Sequence, residues 1–361
     1  MPDQTRVLCE RRSTFMAPTP VARKVCQIKT TRCRPVVVTK LFALCVLSSC
    51  LVGQVPGQLT NNIVSDTPIP LDWSYHKDVQ EVYVLFSASS HGRFVSDLGA
   101  EDISVKDDGS APAKMLAFYT QRDLPLRMGL LIDTSPSVYS RFAFEQDAAR
   151  EFLAHVLRSD RDEAFVMGFA DYPQLMQTFT RSPVELWTAV ASLVDQGDST
   201  ALFDAVVEGC RKLSTHAEDQ FVARTLVVVS DGEDNSSLAT RYRTLLAAQE
   251  SDVTIYTIST RTPWDHRKSG EGDRILKTLA EETGGRALFP ESPHNFRSAF
   301  AHIAEELHSR YAISYRPAHF VLNDHYRRIQ INAERSGKKL KVHGRKGYYA
   351  TAHTDDIAQR K

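Results

Sequence analysis

The chain has 361 residues, enough for about two domains, and its 44 basic and 44 acidic side chains leave no net charge. This balance hides an asymmetry: residues 1–40 carry nine Lys or Arg against Asp3 and Glu10, so this segment is +7 and the remainder is −7. A body with that charge lacks the basic footprint of a nucleic-acid-binding protein, and we expect no nucleic-acid partner.

The basic segment is followed by an apolar run at residues 41–53 and by small or polar residues after it. This order is typical of a secretory signal peptide, and the run is short for a membrane span. We assign residues 1–53 to a signal peptide and expect an exported protein that is periplasmic, secreted or lipid-anchored at the cell envelope. Two processing routes stay open: cleavage after about Gly53, or acylation of Cys50 in the lipobox-like Leu47-Ser48-Ser49-Cys50. Only the second would attach the protein to a membrane.

The positions of the cysteines limit the disulfides and metal sites that the mature chain can form. Five of the six cysteines precede the cleavage region, and Cys210 alone remains, so the mature body can form no internal disulfide. We expect Cys210 to be a buried structural thiol. The sequence has no C-x-x-C, H-E-x-x-H or G-x-S-x-G, which removes the commonest zinc and serine-hydrolase interpretations.

Residues 54–76 are rich in Pro, Asn, Gln, Ser and Thr and predict a linker. Residues 77–125 then form an N-terminal β segment with strands predicted at 79–86, 103–106 and 115–119. The Asp107-Asp108-Gly109 turn after the second strand indicates a hairpin. Three strands are marginally stable by themselves, so we expect a further pairing partner.

Strands and helices alternate from residue 126 to residue 310, which predicts an α/β fold with a doubly wound, Rossmann-like parallel sheet. The predicted strands are 128–132, 163–169, an edge strand 175–179, 225–230, 253–258 and 286–289. The predicted helices are 141–157, 183–194, 201–214, 240–250, 273–283 and 293–309.

The chain returns to β structure at residues 311–350, with strands predicted at 311–315, 326–333 and 339–349. Charged or polar residues alternate along them, which indicates one solvated face. Residues 351–361 are polar, and we expect a disordered tail.

A candidate metal site follows from the ends of the buried strands. The apolar run 128–132 stops at Asp133, and Ser135 and Ser137 alternate with it, so three oxygens can point the same way. The same residues also suit a helix cap. Thr200 opens a later helix, and Asp231 follows the buried strand 225–230. Because ligands bind outside the carboxyl ends of strands in open α/β sheets, these segments can converge. Their hard oxygens suit Mg²⁺, Mn²⁺ or Ca²⁺.

The spacing D-x-S-x-S, then T, then S-D-G resembles the metal-ion-dependent adhesion site (MIDAS) of von Willebrand factor A domains. The family's five positions fall on Asp133, Ser135, Ser137, Thr200 and Asp231. Pro136 departs from the glycine that is usual in the family. It can stiffen the loop without removing a ligand.

The layout from Val79 to Tyr349 resembles the bacterial VWFA-related acidobacterial domain group, through Ser230-Asp231-Gly232-Glu233-Asp234-Asn235-Ser236, Gly284-Gly285-Arg286 and Arg345-Lys346-Gly347-Tyr348-Tyr349. In the family the first and last elements of the A domain lie near each other. We therefore predict that the strands before 126 and after 310 pair into a small sandwich-like unit, with the A domain inserted in it or flanked by it.

The resemblance implies a protein-binding module whose metal accepts an Asp or Glu carboxylate from a partner protein. An under-neutralised hard cation favours such a ligand. Trp264 and Asp265 in the loop 261–272, and Tyr172, are predicted partner contacts, while Asp204 and Glu233 are predicted to support the site from behind. Trp264 could equally pack on its own loop. Two other functions stay open: a magnesium-dependent hydrolase with Asp231 or Glu233 as base, and a scaffold with an unused metal site.

Overall fold

The computed structural model describes residues 81–158, 160–194, 197–216, 221–261 and 270–350. The predicted signal peptide, linker and C-terminal tail lie outside the described residues, as do residues 77–80. Within the described ranges no helix is both long enough and apolar enough to cross a membrane. All of these residues belong to the unit Ser74–Lys361.

A six-stranded sheet forms the centre of the region predicted as the A domain. In spatial order its strands are β10 (Ala287–Leu288), β9 (Val253–Ser259), β8 (Ala223–Ser230), β5 (Leu126–Asp133), β6 (Glu163–Phe169) and β7 (Pro173–Thr180). The first five are parallel, and β7 pairs antiparallel with β6 at one edge. Strands β5 and β8 are buried almost along their whole length, as expected for a central strand with helices on both faces.

Three helices cover each face of this sheet. One face carries α1 (Phe142–Val156), α2 (Pro183–Ala191) and α6 (Phe296–Leu307), and the other carries α3 (Leu202–Thr215), α4 (Arg241–Glu250) and α5 (Glu271–Thr283). Each face has its own apolar core. This arrangement confirms the predicted doubly wound α/β fold. Cys210 is a buried free thiol within the second core.

Local signals fix where several of these helices begin and end. The Ser182 hydroxyl accepts a hydrogen bond from the Glu185 backbone N–H, and Pro183 follows at the first helical position of α2. Thr240 caps α4 in the same way. Helix α5 ends at Gly284, whose φ of 85° is left-handed.

The strands outside this region form a second, eight-stranded sheet. They are β1 (Val82–Ser90), β2 (Arg93–Phe94), β3 (Ile103–Asp107), β4 (Lys114–Thr120), β11 (Arg310–Arg316), β12 (Tyr326–Arg335), β13 (Lys338–Gly344) and β14 (Gly347–Tyr349). Strand β1 pairs with β11 and β13, β11 also pairs with β4, and β12 pairs with β3, β13 and β14. The predicted pairing of N-terminal with C-terminal strands is confirmed.

Alternate side chains of β1 enter two different cores. Val82, Val84 and Phe86 pack into a core made by the second sheet itself, whereas Tyr83 and Leu85 join the core beneath α1, α2 and α6. This period of two is the ordinary geometry of a strand that is buried on both faces. Because the cores are shared, the domain boundaries predicted at 125/126 and 310/311 stay a prediction.

The predicted hairpin after β3 is wrong. Asp108 and Gly109 do form a tight turn with positive φ values of 49° and 83°, but the ladder stops at a single bridge between Asp107 and Ser110. Pro112 follows and has no N–H with which to continue the ladder. Strand β3 instead pairs with β12, and β4 with β11.

The predicted strand 339–349 is two strands, β13 and β14, separated by Arg345 and Lys346. At this break the end of α5 lies against the chain, because an added Cβ at Gly284 would come within 2.3 Å of the Arg345 backbone nitrogen.

Candidate metal site

The site begins where the strand order of the first sheet reverses. Strand β5 has β6 on one side and β8 on the other, and the register pairs Ile132 with Val229. Asp133 and Ser230 therefore end adjacent parallel strands at the same edge of the sheet. Ligand sites of open α/β sheets lie at this position.

Asp133 is fully buried and is held by hydroxyl and amide donors. Its Oδ1 accepts a hydrogen bond from the Ser135 backbone N–H at 2.9 Å, and its Oδ2 accepts one from the Ser230 hydroxyl at 2.7 Å. Burial raises the pKa of Asp133 to about 6, the hydrogen bonds from Ser135 and Ser230 oppose the rise, and the nearby charge of Asp231 adds to it. The fold thus holds a carboxylate in a place that penalises its negative charge.

Ser135 and Ser137 lie on the turn that follows Asp133. Their hydroxyl oxygens are 3.1 Å apart, with Ser135 buried and Ser137 exposed. Pro136 between them begins a short 3₁₀ turn, Pro136–Arg141. The predicted same-side placement of the two hydroxyls is thus present, and the line of oxygens runs from the buried carboxylate toward solvent.

Thr200 is buried and is joined to the loop that follows β8. Its backbone N–H donates to Asn235 Oδ1 at 2.7 Å, and its carbonyl accepts from the Asn235 N–H at 3.0 Å. The Ala201 N–H donates to the Ala170 carbonyl at 2.7 Å, and the Thr134 N–H donates to the Phe169 carbonyl at 2.8 Å. These bonds connect all three segments on which the predicted ligands lie.

Asp231 is buried, and its Oδ1 accepts from the Glu233 N–H at 3.0 Å. Gly232 between them has a φ of 80°, and an added Cβ would lie 2.3 Å from the Gly272 carbonyl oxygen. Glycine is therefore required here both for its backbone angle and for the close approach of α5. The Glu233 side chain is exposed and lies 3.6 Å from the buried Arg261 guanidinium.

Asp204, predicted to support the site, fixes the far part of the same loop. Its two carboxylate oxygens accept hydrogen bonds from the Leu238 and Ala239 backbone N–H groups at 2.9 and 2.8 Å. Asp204 therefore binds the loop between Asp231 and α4 to helix α3, and its role in supporting a metal site stays a prediction.

Three further residues position the site and were not predicted. Ser230 donates to Asp133 and accepts from the Gly232 N–H at 3.0 Å, Asn235 binds Thr200, and Asp234 accepts from the Phe203 N–H at the start of α3. The run Ser230-Asp231-Gly232-Glu233-Asp234-Asn235 offers a signal for them, since four of its six residues are Ser, Asp or Asn, short acceptors that can hydrogen-bond to a backbone N–H.

The predicted partner contacts are placed only in part. Tyr172 lies on the turn between β6 and β7, and 64% of it is exposed. Its neighbour Asp171 accepts hydrogen bonds from the Ser199 N–H and hydroxyl, which ties this turn to the segment before Thr200. Trp264 and Asp265 lie outside the described residues.

The donor set fits a hard divalent cation. The described part of the chain contains no cluster of three or more His, Cys, Asp or Glu side chains that could hold a metal ion, so any cation here would depend on hydroxyl oxygens as well as on Asp133 and Asp231. Oxygen ligands of this kind suit Mg²⁺, Mn²⁺ or Ca²⁺. A buried carboxylate with a raised pKa is also the group that a cation would stabilise most.

Residues 128–233 match the family model of the von Willebrand factor type A domain. The match covers less than a third of the 361 residues but includes all five predicted metal ligands. The predicted resemblance of this region to a von Willebrand factor A domain is confirmed by it. The narrower resemblance to the acidobacterial group stays a prediction. No curated protein matches the sequence.

Solved structures with similarity to the chain include three of interest. The von Willebrand factor type A protein from Catenulispora acidiphila is 12% identical over 78% of this chain and 76% of its own, with a TM-score of 0.44. BatB from Bacteroides thetaiotaomicron is 17% identical over 50% and 97%, with a TM-score of 0.42. Proximal thread matrix protein 1 of the mussel byssus, with a zinc-occupied MIDAS motif, is 14% identical over 54% and 48%, with a TM-score of 0.44. All three TM-scores lie below 0.5, and no argument about this chain rests on them.

Proposed function

We propose that the chain is a non-enzymatic protein-binding module that holds a divalent cation through Asp133, Ser135, Ser137, Thr200 and Asp231. The observation that carries this proposal is the environment of Asp133. Its carboxylate is fully buried and receives hydrogen bonds from Ser135 and Ser230, while the charged group that most affects it is another carboxylate, Asp231. A cation bound at this point would relieve both the burial cost and the mutual repulsion.

The division of roles follows from burial. Asp133 and Asp231 would supply negative charge from within the fold, whereas Ser137 is the exposed end of the oxygen series. When bound, the cation would supply a positive charge. The two carboxylates and the neutral hydroxyls would not saturate it, so it could take a further carboxylate ligand. An Asp or Glu side chain of a partner protein is such a ligand. Tyr172, and Trp264 and Asp265 in the loop outside the described residues, would contact the same partner.

A binding role is better supported than hydrolysis. The Ser230 hydroxyl donates to the Asp133 carboxylate, but both groups are fully buried, so this hydroxyl–carboxylate pair is out of a substrate's reach. Glu233, the alternative base, faces Arg261. Asp204, Asn235 and Ser230 all use their side chains to hold loops, which is the behaviour of a site that presents a fixed surface.

The test is calorimetric titration of Mg²⁺ and Mn²⁺ into the full chain, beside Asp133→Asn and Thr200→Val. Asp147→Asn is the matched control, because Asp147 is an exposed carboxylate on α1 that pairs with Arg150. We expect dissociation constants between about 1 μM and 1 mM for the wild type and the control, and at least about a tenfold loss in the two site variants. Absence of binding to folded wild-type protein would favour the scaffold with an unused metal site.

A second titration tests the carboxylate partner. The probe is the blocked peptide acetyl-Gly-Asp-Gly-amide, added to Mn²⁺-loaded protein, with the Asn peptide as control. We expect saturable binding of the Asp peptide that a chelator abolishes, and none of the Asn peptide. Equal binding of the two peptides would contradict a role for the carboxylate.

We also propose that the protein is exported through residues 1–53. Expression of the full chain in a bacterial host, followed by mass determination of the mature N-terminus, distinguishes the two processing routes. A lipid-modified Cys50 that is lost in Cys50→Ser would support anchoring, and cleavage near Gly53 would support release. Retention of an unprocessed N-terminus would contradict export.

A further inference from the structure

Helices α4 and α5 enclose a groove that the metal site does not use. Arg274, Thr278 and Glu282 line it from α5, and their spacing of four residues places them on one stripe of that helix. From Arg274 to Glu282 this stripe spans about 12 Å along the helix axis. The cavity has a volume of about 560 Å³, which lies within the range of small-molecule binding sites.

Three tyrosines line the groove, and one of them, Tyr242, directly follows Arg241 on α4. Tyr242 lies on α4, Tyr326 on β12 and Tyr349 on β14, and each is more than one-third exposed. The ring centroids of Tyr242 and Tyr349 are 6.2 Å apart and those of Tyr326 and Tyr349 are 5.2 Å apart, both in edge-to-face arrangements. The rings thus form an aromatic wall rather than a closed stack, and their exposed edges and faces can pack against another ring.

This wall is held in place by an amide side chain. Gln249 Nε2 donates to the Tyr349 carbonyl at 3.0 Å, and Gln249 Oε1 accepts from the Tyr349 N–H at 2.9 Å. The two bonds occupy both polar backbone groups of Tyr349 and fasten β14 to α4. The backbone of Tyr349 is therefore held in place before any ligand arrives, which lowers the cost of binding.

The end of the groove at the starts of α4 and α5 carries an excess of positive charge. Arg274 lies 2.8 Å from Glu271 and Arg241 lies 4.0 Å from the same carboxylate, so two guanidinium groups share one acid. Both arginines are at least half exposed, and Arg241 is the first residue of α4, where the helix dipole is also positive. An anion would be favoured at this end.

The end of the groove near Glu282 is closer to neutral. Glu282 and Arg345 both line it, and Arg345 is itself paired with Asp252 at 3.2 Å. Burial raises the pKa of Tyr326, with a further contribution from Glu282, which indicates a partly desolvated and apolar surrounding. Buried Ala248 and Val253 supply apolar surface to the lining.

We propose that this groove binds a small organic anion, with a carboxylate at Arg241 and Arg274, an apolar chain beside Tyr242 and an aromatic ring against Tyr326 and Tyr349. The charge excess sets the orientation. Because Tyr326 is a neighbour of Glu282, which lies about 12 Å from Arg274 along α5, the carboxylate and the ring are about 10 Å apart. This site is independent of the metal and of the carboxylate partner proposed above.

The test is calorimetric titration of the full chain with 6-phenylhexanoate and with its neutral analogue 6-phenylhexan-1-ol. We expect a dissociation constant between about 0.1 and 1 mM for the acid and about tenfold weaker binding of the alcohol. The Arg241→Gln/Arg274→Gln double variant should lose at least about tenfold in affinity for the acid and bind the alcohol as the wild type does. Tyr242→Ala should weaken both ligands.

Arg243→Gln is the matched control, because Arg243 lies on the same helix, is also about half exposed, pairs with Glu250 and does not line the groove. It should bind the acid within about twofold of the wild type. Far-ultraviolet circular dichroism and the thermal midpoint establish that each variant is folded. Equal affinity for acid and alcohol, equal losses in the double variant and the control, or no saturable binding to the folded wild type would overturn the proposal.

Discussion

Two buried carboxylates, Asp107 in the second sheet and Asp133 in the first, differ in how their negative charge is compensated. In the second sheet, Asp107 accepts hydrogen bonds from Arg327, Tyr315 and Tyr348 at 2.8, 2.9 and 2.9 Å. At the metal-site edge, Asp133 is equally buried, but its donors among the described residues are the neutral groups of Ser135 and Ser230. The first carboxylate completes its interactions within the fold, whereas the second leaves its charge for a group from outside.

Two further buried carboxylates among the described residues, Glu306 and Asp162, are paired with arginine as Asp107 is. Glu306, between the two sheets, accepts from Arg286 Nε at 2.6 Å and from the Ser87 hydroxyl at 2.7 Å. Asp162 accepts hydrogen bonds from Arg158 Nε and from the Leu126 N–H, both at 2.8 Å. An arginine compensates the charge of each of these buried carboxylates, whereas no described residue does so for Asp133, which agrees with the proposed metal site.

The largest expected effect comes from breaking a paired carboxylate. Arg327→Met should cost about 3–5 kcal/mol in the free energy of unfolding, because it leaves the buried Asp107 charge without its cation. Urea denaturation measures it. Arg335→Met is the control, since Arg335 and its partner Asp97 are both exposed, and it should change stability by no more than about 0.5 kcal/mol. A loss below about 1 kcal/mol for Arg327→Met would mean that the two tyrosine hydroxyls suffice for Asp107.

The next effect concerns the loop that carries Asp231. Gly232→Ala should cost about 2–4 kcal/mol, because alanine is strained at a φ of 80° and its Cβ would meet the Gly272 carbonyl. It should also weaken Mn²⁺ binding by displacing Asp231. Gly337→Ala is the control, because Gly337 has a similar φ of 73° but nothing within 4 Å of an added Cβ. The control should lose only about 1 kcal/mol in urea denaturation and keep its metal affinity. Equal losses in the two variants would show that the approach of Gly272 is unimportant.

The third effect reverses the usual sign of a binding-site mutation. Because the pKa of folded Asp133 is raised to about 6 from 3.8, its charge destabilises the metal-free fold. Below pH 3.8 the group is protonated in both folded and unfolded states and carries no penalty. The penalty grows as the pH rises from 3.8 to about 6 and is complete above that value.

Asp133→Asn should therefore stabilise the metal-free protein by about 1–3 kcal/mol at neutral pH and by little near pH 4. The measurement is urea denaturation of both proteins in chelator across this pH range. Saturating Mg²⁺ should remove the advantage of the variant, since only the wild type gains from the cation. A variant that is less stable than the metal-free wild type at neutral pH would contradict the account of Asp133 as an unpaired buried charge.

The sequence permits prediction of the first sheet because its four central strands, β9, β8, β5 and β6, are apolar runs between turn signals, and the residues at the strand ends follow from that order. It does not permit prediction of β3 pairing with β12, because the choice is made by contacts across more than 200 residues, such as Arg327 with Asp107. The tyrosine groove is hidden for the same reason: Tyr242, Tyr326 and Tyr349 come together only when α4 packs beside the second sheet.

The sequence predicts the residue types of the candidate site, but not the hydrogen bonds that hold those residues in place. The short spacing from Asp133 to Ser137 shows which oxygens share a turn, and the structure places them so. The link from Asn235 to Thr200 could not be foreseen, because it depends on how the loop after β8 folds over the start of α3. The ligand roles of the five residues themselves stay a prediction until a metal is titrated.

The smallest expected effect concerns Pro136, where this chain departs from the glycine usual in the family. Pro136→Gly should cost about 0.4–1 kcal/mol, chiefly because the unfolded chain gains freedom, and should change Mn²⁺ affinity by less than about threefold, since proline contributes no ligand. Pro183→Gly, at the first position of α2, is the control for the entropic cost alone. Urea denaturation and calorimetry give the two quantities. A tenfold loss of metal affinity confined to Pro136→Gly would show that the stiffened turn orders Ser135 and Ser137 for binding. The unpaired charge of Asp133 would then not be enough to define the site.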